Sequence, residues 1–192
     1  MHADVPAESR AKQADATGTG AETAVYAVLS QAGWLACVVS AARGCGWLGM
    51  LCAMLLAGAH LLRARAPARE AALIAVVSAL GWIWEAVPMA LGSLRYPNGI
   101  LLSGTAPYWM AGLWMLFAAQ LNMLFRWLRG RWLTAALVGA AAGPLSFRAG
   151  AALGAVQFGG PAAWLVLGCG WAVLLPLAVW LGARLDGTRR GA

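Results

Sequence analysis

Apolar residues occupy this chain in six long stretches, at 24–42, 46–62, 71–91, 107–128, 132–147 and 161–183, with polar and charged residues confined mostly to the gaps. A helix rising about 1.5 Å per residue needs about 20 apolar residues to cross a hydrocarbon core about 30 Å thick, and several stretches reach that length. The runs are continuous, whereas a transmembrane barrel reads as short alternating segments. Backbone groups in lipid must also bond within their own segment. The pattern therefore predicts an all-α, polytopic membrane bundle of six transmembrane helices.

The gaps carry turn signals. Arg43-Gly44-Cys45-Gly46 has the glycines of a tight reversal. Pro67 breaks the gap after the second run, and Glu70 falls at the next helix start, where a carboxylate suits the dipole. Tyr96-Pro97-Asn98-Gly99 has proline at the second position of a β-turn. Pro107 opens the fourth helix, where its missing N–H costs nothing. The last charge-free stretch, 149–183, would make about 52 Å of helix, too long for one span. Pro161 restarts it, which leaves 149–160 as an interfacial segment, a re-entrant segment or an extension of helix five.

Charge sets the expected orientation. Arg43, Arg95 and Arg148 fall on one side; the other takes Arg10, Lys12, Arg63, Arg65, Arg69, Arg126, Arg129, Arg131, Arg184, Arg189 and Arg190. Cytoplasmic loops retain Lys and Arg, so the richer side is inside and both termini are cytoplasmic. The predicted location is a bacterial inner membrane, with membrane lipids as partners and a homo-oligomer or another membrane protein as possible company. The net charge of +7 is explained by orientation and by attraction to anionic headgroups, with no basic arm or motif for nucleic acid. Residues 1–23 mix Ala, Gly, Thr, Glu and Asp and are expected as a disordered cytoplasmic tail; residues 184–192 form a basic one. Mixed charges and five further spans argue against a signal peptide.

With 61% hydrophobic and 11% charged residues in 192, the spans leave no room for a soluble catalytic domain. Trp127, Trp132, Trp109, Trp47 and Trp164 fall near span ends, where tryptophan anchors to the interface; Trp82, Trp84, Trp114 and Trp171 are expected to pack. Cys37, Cys45, Cys52 and Cys169 form no Cys-x-x-Cys pair and read as small buried apolar residues.

Depth along the helices sorts the polar residues. Counted from the inner ends, Glu85 lies about 21 Å in and Arg148 about 24 Å, close enough in level for an ion pair. Gln120 and Asn122 lie about 20 and 22 Å below the outer edge, level with Ser78. An intramembrane carboxylate is a candidate site by default. The plainer readings are that Glu85 is neutral or sets helix register with Arg148, and that Asn122 and Gln120 bond between helices. Tyr108 completes the candidate polar set. Small residues at Gly139, Gly143, Ser146, Gly150 and Gly154 make one stripe if the helix continues, the small-xxx-small mode of membrane packing. Pro144 should break or kink that helix, in or after helix five; broken helices often line transport sites, and a kinked packing helix is the plain alternative.

Enzyme signatures are sparse. His2 and His60 are the only histidines, so multi-histidine metal clusters are excluded, and no metal or cofactor is expected. No phosphate-cradling or dinucleotide motif occurs. From Trp82-x-Trp84-Glu85 through Pro107-x-Trp109, Leu113-Trp114-x-x-Phe117-Ala118, Leu121-Asn122, Leu124-x-x-Trp127-Leu128 and Gly139-x-x-x-Gly143-Pro144-Leu145-Ser146-Phe147-x-Ala149-Gly150-x-x-Leu153-Gly154-Ala155, the chain resembles the bacterial membrane family called domain of unknown function 2878. The resemblance covers roughly 80–158. The family pattern carries an acidic residue, often Asp, where Glu85 stands, so the departure keeps the charge and lengthens its reach. The resemblance implies a small multi-spanning inner-membrane protein and supplies no catalytic residues. The expectation is lipid or small-molecule handling or transport through a polar site in the outer half of the bundle. The alternatives are a non-catalytic membrane partner docking through its glycine stripe, and an intramembrane lipid-modifying enzyme.

Overall fold

The computed structural model describes residues 7–188; residues 1–6 and 189–192, with His2, Arg189 and Arg190, lie outside the described residues. Its helices are α1 (Ala7–Ala42), α2 (Gly46–Arg63), α3 (Pro67–Trp84), α4 (Ala86–Ala90), α5 (Tyr108–Leu121), α6 (Trp132–Ala152) and α7 (Ala162–Arg184). Two short strands, β1 (Leu94–Arg95) and β2 (Gln157–Phe158), pair antiparallel, with Leu94 opposite Phe158. Four segments are long and apolar enough to cross a membrane: Thr23–Ala42, Gly46–Arg63, Pro67–Ala90 and Ala162–Arg184.

Several boundaries differ from the sequence expectations. Helix α1 begins at Ala7, so the segment expected as disordered is helical from there on. Its Ala, Glu, Lys and Gln favour helix, and elongation from a formed helix avoids the nucleation cost. The run 71–91 is interrupted at Glu85, between α3 and α4. Pro88 accounts for this, because its ring clashes with the carbonyl of Trp84, four residues back. Helix α5 stops at Leu121, well short of 128, and a 3-10 turn at Arg126–Leu128 follows. Fourteen residues rise only about 21 Å. By contrast, α6 runs unbroken through Pro144, so the break expected at Gly143-Pro144 is not there. Pro144 leaves the Ala140 carbonyl without its N–H partner, and that carbonyl lies beside Gly168 of α7, which clamps the helix. The segment 149–160 is part helix and part β2: α6 extends to Ala152, and a left-handed Gly154 (φ 87°) turns the chain into the strand.

Successive helices alternate direction between two ends. At the strand end, the α1–α2 turn meets the 91–107 connection, where Asn98 donates to the Ala41 carbonyl at 3.1 Å, and β1 meets β2. At the arginine end, the α2–α3 turn meets the C-terminal segment, where the Ala66 amide donates to the Gly187 carbonyl at 2.8 Å. Helix α5 is central, packing against α1, α2, α3 and α7, while α6 pairs with α7 and α1 with α2.

Tryptophans laid across glycines set the close contacts. A Cβ on Gly81 would collide with the Trp114 ring, one on Gly143 with Trp171, and one on Gly170 with Trp84. Trp114 and Trp171 stack at 5.1 Å, 7° from parallel, and Phe117 meets both edge-on. Aromatic stacking of this kind adds about 0.5–1.5 kcal/mol per pair beyond the area buried. Trp109 is 2% exposed and donates to the Asn98 carbonyl, so it packs rather than anchors; Trp47, Trp127, Trp132 and Trp164 are exposed. Of the cysteines only Cys37 is buried, Cys52 being half-buried and Cys45 and Cys169 exposed; all are free thiols.

Candidate functional site

Glu85 sits at the helix interruption that Pro88 creates, and its side chain is fully buried at 0% exposure. The Tyr96 hydroxyl, carried in by the turn after β1, donates to Glu85 Oε2 at 2.9 Å. Burial first, and then the neighbouring carboxyl, push the Tyr96 phenol well above its ordinary range, so it acts as the donor of this pair. The Trp114 indole lies beside the carboxyl, yet Oε1 makes no hydrogen bond. An ionised carboxylate in such surroundings is costly unless it is paired. Glu85 lines a cavity of about 390 Å³ walled by Trp34, Trp109, Trp114, Trp171, Phe117 and Phe147. Trp171 Nε1 is also buried without a partner, so one unpaired acceptor and one unpaired donor belong to residues of the same lining. Helices α1 and α6 form its two rims and do not pack along one another. Gln31, Ser146 and Ala149 are exposed at those rims, so the cavity faces sideways out of the bundle.

A second buried carboxylate lies at the arginine end. Glu70, at 0% exposure, accepts at Oε1 from Asn122 Nδ2 (2.7 Å) and the Gly187 amide (2.7 Å). Its Oε2 is 2.9 Å from His60 Nε2, and His60 Nδ1 is 3.1 Å from the Tyr26 hydroxyl. Arg129 donates to Asn122 Oδ1 at 2.6 Å and to Asp186 Oδ2 at 2.9 Å. Thr188 donates to Asp186 Oδ1 through its amide and hydroxyl, and Arg126 bonds the Thr188 hydroxyl. Burial disfavours the Asp186 charge, but the bonds from Thr188 and the Arg129 guanidinium outweigh it and hold the carboxyl below the ordinary range. One continuous network therefore joins α1, α2 and α3 to the segments after α5 and α7, with both Glu70 oxygens satisfied. It is a structural lock, and its completeness contrasts with the open Glu85.

The structure separates the residues grouped by depth. Glu85 and Gln120 line the same cavity, with Ser146 at its rim. Arg148 is exposed on α6 and does not meet Glu85, so the anticipated ion pair is absent among the described residues. Asn122 is drawn into the Glu70 lock. Gln120 bonds the Leu116 carbonyl of its own helix rather than a neighbour, and Ser78 Oγ is buried without a partner. Tyr108 is half-buried near Gly46, away from that cavity's lining. Gly139 and Gly143 lie against Trp171 of α7, Gly150 faces Val156, and Gly154 has left the helix, so the stripe is spent inside the chain. Sequence reasoning missed Glu70, His60, Arg129 and Asp186 as partners. The available signal was Glu70 itself, a carboxylate between Arg69 and the start of an apolar run. Among the described residues no cluster of His, Cys, Asp and Glu is placed to hold a metal ion.

Four helices long and apolar enough to cross a membrane, with a buried carboxylate in the lining of a cavity among the helices, suggest a helical membrane protein. The chain belongs to the family described as Protein of unknown function (DUF2878), whose model matches residues 23–177. The match reaches beyond the stretch that carries the resemblance, into α1, α2 and α7. No curated protein and no solved structure matches the chain.

Proposed function

We propose that the protein is an inner-membrane lipid-handling protein that binds amphiphiles bearing a primary amine, taken laterally from the bilayer into the Glu85 cavity. The observation that carries this reading is the fully buried Glu85 with one oxygen unpartnered in an aromatic cavity. An ammonium answers both parts of the site: its N–H groups donate to Glu85, and its charge is attracted to the tryptophan faces. The orientation that goes with this reading puts the arginine end in the cytoplasm and the site in the outer half. The partner-docking alternative is less favoured, because Gly139 and Gly143 are already covered by α7.

The test is lipid retention by the full chain in mild detergent, read by native mass spectrometry against an equal mixture of phosphatidylethanolamine and phosphatidylcholine. A quaternary ammonium fits aromatic walls but cannot donate to a carboxylate, so wild type retains phosphatidylethanolamine preferentially. A charge-assisted hydrogen bond is worth about 1.5–3 kcal/mol, so Glu85→Gln lowers that preference about tenfold or more. Arg148→Ala, at an exposed site, leaves it unchanged. A wild type with no preference, or a Glu85→Gln variant that keeps it, refutes the proposal.

A further inference from the structure

A second cavity, of about 410 Å³, lies nearer the arginine end between α1, α2 and α5, with Tyr26, His60 and Arg63 among its polar residues. Ser30, Leu116 and Gln120 line both cavities. The partition between them is thus made by side chains, one from α1 and two from α5. Gln120 is half-buried, and its amide donates only to the Leu116 carbonyl at 3.0 Å, within its own helix.

The two ends of this route carry an acidic and a basic residue. Glu85, with no exposed surface, belongs to the lining of the first cavity, and Arg63, an exposed residue, to that of the second. A zwitterionic aminophospholipid head carries a primary amine and a phosphate, one complement for each end. Between them, Ser30 and Gln120 offer hydrogen-bond partners at the level where hydrocarbon alone would strip the head of its hydration, at a cost of several kcal/mol per polar group. The apolar walls leave the acyl chains in contact with apolar surface throughout.

We infer that the two cavities form one lateral path along α1 and α5, through which the protein exchanges aminophospholipids between the two leaflets. The inference rests on the amine-binding reading of the Glu85 cavity. It is tested with the full chain reconstituted into phosphatidylcholine vesicles that carry a trace of phosphatidylethanolamine labelled with a fluorophore on its acyl chain. Dithionite bleaches label in the outer leaflet; with wild-type protein, bleaching proceeds into the inner-leaflet pool. Gln120→Leu removes the polar contact at the partition, and Ser30→Phe fills it from the other helix. Each slows exchange about tenfold, the effect of about 1.4 kcal/mol, and Ala59→Phe, which narrows the second cavity alone, does so while keeping the phosphatidylethanolamine preference in the retention assay. A wild type that shows the preference but bleaches no inner-leaflet label overturns this inference and leaves amine binding standing. Variants that exchange as fast as wild type overturn it too. A wild type with neither preference nor exchange refutes the amine-binding reading, and this inference falls with it.

Discussion

Replacing Asn122 by alanine tests the lock at the arginine end most directly. The side chain bridges two charged groups, donating to Glu70 at 2.7 Å and accepting from Arg129 at 2.6 Å. It is fully buried, packed against Gly182, so water cannot readily take its place. Each lost bond involves a charged partner and is worth about 1.5–3 kcal/mol. The partners are not stranded completely: Glu70 keeps the Gly187 amide and His60, and Arg129 keeps Asp186. The expected cost is therefore about 3–5 kcal/mol, the range for breaking one side of a buried charged pair. At about 2–4 °C per kcal/mol for a chain of this size, the melting temperature falls by at least about 6 °C. The assay is heating in detergent, followed by circular dichroism and by the fraction that remains monodisperse on size exclusion. A fall below about 2 °C refutes the idea that the network holds the helices together. A double-mutant cycle with Glu70→Gln sharpens the result, because the two share a bond. The double variant should lose less than the sum of the singles, and additivity within about 0.5 kcal/mol means the bond is not made.

Two further outcomes follow from the packing and the charges. Gly143→Leu places a side chain where the Trp171 ring lies; it should destabilise the fold by about 3 kcal/mol and erase the near-ultraviolet circular dichroism of the Trp114–Trp171 stack. The Asp186 carboxyl is held below its ordinary range when folded by the bonds from Thr188 and Arg129 and returns to that range when unfolded, so its contribution is complete above the ordinary range and is lost as pH falls through the folded value. Acid unfolding should begin at higher pH in Asp186→Asn as the bonds to Arg129 and Thr188 weaken; an acid limb identical to wild type contradicts that account.

Much of the helix pattern was legible because apolar runs of span length have few alternatives. The boundaries were less so, since local breakers act only as far as neighbours allow. Pro88 and Pro144 have the same intrinsic effect, yet Pro88 interrupts its helix at Glu85 while Pro144 does not break α6. Gly168 and Trp171 of α7 lie against α6 around Pro144, and the intrinsic effect of proline alone does not tell the two sites apart. Glu85 was legible as a candidate because a carboxylate inside an apolar run is costly wherever it points. Its pairing was not legible: depth along a helix axis says nothing of azimuth, and Arg148, at a matching level, faces outward. Glu70 reads as a loop-edge residue until the C-terminal segment folds back and brings the Gly187 amide to it.

By itself, then, the sequence determined the class of the protein, the number of its long apolar runs and which end of the bundle gathers arginine. These depend on composition and on residue position along the chain, which folding does not alter. Only the tertiary structure decided that both Glu70 oxygens are bonded while one of Glu85 is not, that Gly139 and Gly143 lie against α7, and that two cavities share lining residues of α1 and α5. Those outcomes depend on which faces of different helices meet, and helix rotation is set by packing between segments far apart in the chain.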